Sequence, residues 1–345
     1  MIFNKIYKKV AAVGAAHMKR HLATTAVIFL FTCFFSISTY AKQSWQDFLN
    51  EIRQEAISQG IRPAIVDQAF HGLDEPNWQV LSYDRAQPEK RLTFLKYRNT
   101  RADKYRISMG KTELRKHQAV LSQIAQRYGV SECFIVSLWG LETSYGHYMG
   151  NFPVIHSLAT LAYDDRRADF FRNELLIALR ILNDGHVRLK DFKGEWAGAS
   201  GQPQFLPSSW YNYAVDYDGD GRKDIWKSLP DAFASIANYL YINGWKHDQP
   251  WAIPITVPAN FDAQLMSPDI TKTIAQWKSL GVRAAPGKTL PSENYEVSVI
   301  EPFGGPAMMI FDNFKVIMKW NHSTYYAGTV GYLADNICQQ AYTRH

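Results

Sequence analysis

Cysteine is scarce here, three residues in 345. Cys33 lies in an apolar run behind Phe31-Thr32, a poor context for lipid attachment, so a lipoprotein anchor is not expected. Cys133 and Cys338 alone cannot make a disulfide framework. They can pair in an oxidising compartment, and two buried free thiols fit the sequence equally well. No Cys/His spacing suggests zinc. Acid is missing from residues 1–41, which carry Lys5, Lys8, Lys9, Lys19 and Arg20. Without those five, 33 Lys+Arg face 32 Asp+Glu, so the formal +6 of the whole chain falls to +1. A nearly neutral remainder gives no charge argument for nucleic acid. The apolar run Ala26 to Phe35 is short for a bilayer span. Internal repeats and low-complexity linkers are absent.

What is present begins with an export layout. The basic start, the apolar run and the small residues of Ser38-Thr-Tyr-Ala41 read as a cleaved secretory signal, with Met18 a candidate start. The expectation is therefore a periplasmic protein, with membrane association as its variant. Hydrophobic residues make up 46% and charged residues 20%, enough apolar content for a sizeable core.

Helical periodicity dominates the first two thirds. Ser44 with Asp47 resembles a capping box before Trp45, Phe48, Leu49, Ile52 and Ala56. Pro63 can open a second helix. Helical stretches are expected from Glu89 to Tyr105, from Lys111 to Tyr128 before Gly129, and from Asp169 to Asn183. Ser131 should cap the helix that follows it. Pro207 and Pro230 should each sit in a first helical turn. After Trp251 the pattern turns to prolines and short β-type runs, including Ile255-Thr-Val257 and Tyr295 to Ile300. Ala307 to Trp320 reads as paired strands around Asp312-Asn313. A helix from Thr271 to Leu280 interrupts this section, and another closes the chain from about Ser323 to Tyr342.

The most informative residue is Glu142, in Phe134-Ile-Val-Ser-Leu-Trp-Gly-Leu-Glu-Thr-Ser-Tyr-Gly146. An acid at the end of an apolar helix loses water, and lost water raises its pKa. A carboxyl that keeps its proton near neutral pH can protonate a leaving group. About fifty residues later comes Gly194-Glu-Trp-Ala-Gly-Ala-Ser-Gly-Gln-Pro-Gln-Phe-Leu-Pro-Ser-Ser209. Its small residues let backbone approach a bulky ligand. Gln204 offers a donor and an acceptor, and Phe205 and Trp196 offer faces for sugars.

These two clusters, with Asn151-Phe-Pro-Val-Ile155, Leu158-Ala-Thr-Leu-Ala162, Arg166-Arg-Ala-Asp-Phe-Phe171, Tyr213-Ala-Val-Asp216 and Asn321-His-Ser-Thr324, closely resemble lytic murein transglycosylases of the membrane-bound lytic transglycosylase B type. The resemblance runs from about Trp45 to the C-terminus. It implies an α+β, mainly α fold, a lysozyme-like core flanked by a helical region and a small β-rich region. The corresponding divisions are a signal at 1–41, a helical region at 42–130, the core at 131–250, the β-rich region at 251–320 and a last helix at 321–345. The implied substrate is the peptidoglycan glycan strand, cut between N-acetylmuramic acid and N-acetylglucosamine. One glutamate protonates the leaving oxygen, then takes the proton of the muramic C6 hydroxyl as a 1,6-anhydro ring closes. Ordinary glycosidases use two carboxylates, and only one is convincing here.

Position by position, the resemblance assigns Glu142 the acid/base role. Gln204, Phe205, Tyr239, Asn321, Tyr326 and Tyr97 fall to the saccharide cleft, and Arg166 and Arg167 to its edge, where they would meet substrate carboxylates. Three positions depart from the family habit: Glu195 for Ser, Ser200 for Met and Trp320 for Tyr. Glu195 would add a second acid near the cleft. Asp216-Tyr-Asp-Gly-Asp-Gly221 resembles the first half of an EF-hand loop. Its twelfth position is Lys227 rather than Glu, so Asp231 becomes the late ligand beside Asp216, Asp218 and Asp220. No cofactor is required on this reading, and a structural calcium is a candidate. Cell-wall synthesis enzymes are candidate partners, and a monomer is expected. The rival readings are a muramidase on the same fold, with Asp164, Asp165 or Glu195 assisting a water, and a non-catalytic murein-binding protein.

Overall fold

The computed structural model of the protein describes residues 43–86 and 92–338. The signal segment and the end of the closing helix beyond Cys338 lie outside them. Ser44 caps the first helix, accepting the Asp47 N–H at 3.1 Å and donating its hydroxyl to the Asp47 carboxylate at 2.7 Å. That helix, α1 (Trp45–Ser58), buries the stripe of Trp45, Phe48, Leu49, Ile52 and Ala56. Pro63 opens α2 (Pro63–Phe70), and α3 (Trp78–Arg85) follows.

Next come α4 (Phe94–Arg101), α5 (Lys104–Lys116) and α6 (Gln118–Tyr128). The stretch expected to run unbroken from Lys111 to Tyr128 is divided at His117. Tertiary packing fixes that break, since the His117 ring meets Trp139 and Phe233 edge-on at 6.1 and 5.6 Å. Ser131 caps α7 (Glu132–Thr143) by accepting the Cys133 N–H.

The chain continues through β1 (Phe152–Pro153), α8 (Val154–Tyr163), α9 (Ala168–Asn183), β2 (Lys193–Gly194), α10 (Pro207–Tyr213) and α11 (Leu229–Ile242). Then follow β3 (Ala252–Thr256), β4 (Ser267–Thr273), α12 (Ile274–Ser279), β5 (Arg283–Ala284), β6 (Glu296–Ile300) and β7 (Met308–Ile310). The described chain ends with α13 (Asp312–Trp320) and α14 (Thr324–Cys338).

The helices form one large core in which α7 is buried on most sides and packs against α5, α6, α11 and α14. Helices α1 to α3 lie on α8 and α9, whereas α4 to α6 lie against α7, α11 and α14. The described part of the last helix, α14, contributes buried residues to the same core. Strands β3 to β7 make an antiparallel sheet in the order β4-β6-β7-β3-β5, with its own cluster around Trp277, Val297, Val299 and Phe311.

One expectation fails outright. Asp312 to Trp320 is a helix, not the second strand of a hairpin. Its buried residues Asn313, Phe314, Ile317 and Met318 fall three and four apart. The β-branched pair Val316-Ile317 imitates a strand. Asn313 makes no turn either: it is buried, accepts the Lys246 N–H at 2.7 Å and donates to the Lys246 and Gln249 carbonyls.

Helices α7 and α14 run antiparallel and are pinned at three heights. Cys133 is joined to Cys338 by a disulfide, so the two cysteines are not free thiols. The Ser137 hydroxyl donates to the Val330 carbonyl at 2.7 Å. At the other end, the Tyr326 hydroxyl donates to the Glu142 carboxylate.

Candidate active site

Glu142 stands in the last turn of α7, and the backbone beyond it is contorted. Ser144 and Tyr145 both take positive φ, 50° and 61°, a left-handed conformation that costs non-glycine residues energy and needs outside support. The support is specific. Arg106 donates to the Ser144 hydroxyl at 2.8 Å, and the Tyr145 hydroxyl donates to the Arg106 carbonyl at 2.8 Å. The Tyr145 ring lies where side chains on α5 and α7 would otherwise be. A Cβ at Gly140 would stand 2.5 Å from that ring, and one at Gly110 would stand 2.5 Å from its hydroxyl. Two helical glycines thus make room for the tyrosine that holds the turn after Glu142.

The Gly-rich cluster is fastened to the same helix. The Trp139 indole N–H donates to Gln202 Oε1 at 2.7 Å, and the Thr143 hydroxyl reaches the Gln202 carbonyl at 3.2 Å. The cluster turns back on itself through antiparallel bridges joining Gly194 to Ser200 and Ser200 to Phe205. Gln204, at φ 51°, is thereby set over the cavity. Its side-chain N–H groups donate to the Met149 and Gly201 carbonyls. With the amide orientation so fixed, buried Oε1 is left without a partner.

A cavity of about 760 Å³ opens here, lined by Glu142 together with Tyr97, Gln204, Phe205, Tyr239, Asn321 and Tyr326. Phe205 is itself buried and packs on Tyr239 and Trp320, with ring centroids 6.0 and 5.2 Å apart. It contributes a wall more than a free stacking face. Burial pushes the Tyr239 phenol up to about 12 and raises Tyr97 too, so both remain neutral hydrogen-bond donors.

Burial likewise raises Glu142, to about 7, against the opposing pull of hydrogen bonds from Tyr326 and Trp320 and the positive charge of Arg101. Its side chain is enclosed by protein yet keeps some surface open. The Trp320 indole N–H donates to Glu142 Oε1 at 2.9 Å, and Tyr326 donates to the same oxygen. Trp320, noted in the sequence only as a departure from the family's tyrosine, is therefore bound to the acid itself.

Other candidates lie elsewhere. Arg166 and Arg167 are both committed to buried Asp84, at 3.2 and 3.1 Å, and do not line the cavity. Trp196 packs against the core rather than the cavity. Asp164 is bonded to Arg85 at 3.3 Å. Asp165 is not among the lining residues, whereas exposed Glu195 is. The influences on Glu142 are those already given, and Glu195 is not one of them. Ser200 is buried behind the wall. Arg101 and Lys319 are cavity cations that sequence reasoning missed. Neither carried a signal: Arg101 is one basic residue among several at the end of α4.

Of the four candidate calcium ligands, Asp216, Asp218 and Asp231 each bring a carboxylate oxygen within 4.8 Å of the others. Asp220 is not part of the group and accepts the Arg222 N–H instead. Lys227 is drawn off to Asp191 at 2.9 Å.

The profile of the transglycosylase SLT domain matches residues 44–335. The chain is 33% identical over 252 residues to membrane-bound lytic murein transglycosylase B of Escherichia coli (strain K12), covering 71% of this chain and 67% of that one. It is similar in structure to SltB3 from Pseudomonas aeruginosa in complex with NAG-anhNAM-pentapeptide, with a TM-score of 0.82 and 42% identity over 86% of this chain and 80% of that one. It is also similar to the E. coli lytic transglycosylase SLT35 in complex with calcium, with a TM-score of 0.74 and 27% identity over 85% of this chain and 93% of that one.

Proposed function

Since this chain belongs to the transglycosylase SLT family and is a peptidoglycan lytic transglycosylase, we propose that Glu142 carries both proton transfers of its reaction. The observation that carries this reading is a single enclosed acid, raised to about 7, facing a cavity large enough for sugars. In the first step protonated Glu142 gives its proton to the glycosidic oxygen as the bond to the muramic C1 breaks. In the second, the carboxylate takes the proton of the muramic C6 hydroxyl while that oxygen bonds to C1. Glu142 ends protonated, and no water is consumed. Gln204 Oε1, buried and unpartnered, suits an N-acetyl N–H of the substrate, which would satisfy it. Tyr97, Tyr239 and Asn321 supply further polar groups to the glycan strand. Mass spectrometry of fragments released from murein sacculi should find 1,6-anhydro ends, one water lighter than hydrolysis products. Ordinary reducing ends alone would sink the reading.

We further propose export to the periplasm, directed by residues 1–41. Among the described residues no helix is long and apolar enough to cross a membrane.

The loop before α11 fits a divalent cation. Asp231 is fully buried, and its pKa is raised by that burial with a contribution from the Asp218 charge, opposed by backbone N–H donors. A calcium ion held by Asp216, Asp218 and Asp231 would relieve that repulsion. The ion would be structural and take no part in the reaction. Saturating calcium should raise the melting temperature by roughly 5 °C, and Asp231→Asn should remove the effect. Unchanged melting at millimolar calcium would exclude the site.

A further inference from the structure

We propose that Trp320 fixes the reacting proton on one particular oxygen of Glu142, Oε2. This rests on the acid/base reading of Glu142 and adds to it which atom reacts and what selects it. Both donors meet the same oxygen: the Trp320 indole and the Tyr326 hydroxyl each reach Oε1. Among the described residues nothing hydrogen-bonds Oε2, nor is it a buried atom left without a partner. Oε2 is thus the open end of the carboxyl.

The two donors differ in what they permit. A tyrosine hydroxyl gives or accepts, so Tyr326 alone would tolerate a proton on either oxygen. An indole N–H only gives. A proton on Oε1 would reduce that oxygen to a poor acceptor and leave the half-buried indole N–H facing it. Trp320 therefore excludes the Oε1–H form, and the acid presents its proton from Oε2. The same atom then receives the C6 hydroxyl proton, so proton and leaving group move through one point and the carboxyl need not rotate between steps. The Trp320 ring is held for this task. It packs on Phe205 at 5.2 Å and Tyr239 at 4.7 Å, and it ends α13, whose buried face anchors the backbone. Trp320 is a positioning residue, because it acts through Glu142.

Trp320→Phe keeps an aromatic ring and removes the donor. It should lower kcat about tenfold with KM unchanged. Since the lost bond favoured the carboxylate, the fall of activity on the alkaline side should move to higher pH. Trp320→Tyr restores a donor that can also accept, so it should return the alkaline limb towards wild type but leave kcat low. If Trp320→Phe fails to fold, 3-benzothienylalanine at position 320 serves instead, since it keeps both rings and lacks only the N–H. An unaltered kcat and alkaline limb would overturn the proposal, as would a raised KM with kcat intact, which would make Trp320 a sugar-stacking surface. Glu142→Gln is assayed in parallel. Activity there close to that of the wild type removes the acid/base reading itself, whereas a Glu142→Gln that has lost about a thousandfold beside a wild-type-like Trp320 variant removes only the present proposal.

Discussion

Glu142→Gln should lower murein cleavage by at least about a thousandfold while making the protein more stable at alkaline pH. The loss follows from one residue serving two proton transfers. General acid-base catalysis contributes about 10²–10⁴ per group, and the other carboxyl lining the cavity, Glu195, is exposed and is not among the influences on Glu142. The variant should keep the local structure. Its amide oxygen can accept from Trp320 and Tyr326 as Oε1 does, and its NH₂ takes the place of the protonated oxygen. The gain in stability follows from the direction of the pKa shift. Glu142 is raised from 4.5 to about 7 by burial. The folded chain therefore holds its proton more tightly than the unfolded chain, and wild-type stability falls as pH rises through that window. Gln has no charge to bury. The two proteins should melt alike near pH 4, and above pH 7 the variant should lead by up to on the order of 3 kcal/mol, less where the cavity admits water. Thermal melts at the two pH values, with release of anhydro-muropeptides at each, check both halves. Equal melting at both pH values would show that the site does not penalise the charge.

The second large effect belongs to the disulfide. Cys133 and Cys338 are separated by 205 positions, so their bond removes much freedom from the unfolded chain. Replacing both with alanine should cost about 2–4 kcal/mol, a fall of roughly 10 °C in melting temperature. Activity at low temperature should suffer less than in Glu142→Gln. The bond closes the far end of the α7–α14 pair, while the Ser137 to Val330 hydrogen bond still ties its middle. Melting of the wild type with and without reductant makes the same comparison without mutation. No difference would mean that helix packing alone holds the pair.

What could be read in the chain was what is local. The caps at Ser44 and Ser131 and the first-turn prolines 63, 207 and 230 rest on neighbours within a turn. Helix α13 was hidden because β-branched residues on its buried face outweigh their helical spacing. The bond of Arg166 and Arg167 to Asp84 could not be read, because Asp84 lies 83 residues from Arg167 and nothing local announces it. Cavity residues scattered from Tyr97 to Tyr326 share no periodicity. They were found through resemblance, whereas Arg101, whose charge acts on Glu142, was not. The disulfide stayed open because a pair of cysteines carries no information about distance.

The sheet has a consequence for how this chain can change. Its first strand, β3, and its last, β7, are partners, with Ala252 opposite Ile310 and Pro254 opposite Met308. The chain thus leaves the helical body and returns to it at adjacent points. What lies between is a cassette, and its two cut ends already touch. Ile300, Met308 and Ile310 seat it on the helices, while Trp277 and its neighbours form a separate interior. Such a cassette can lengthen, shrink or be exchanged without moving Trp320 and Tyr326 away from Glu142.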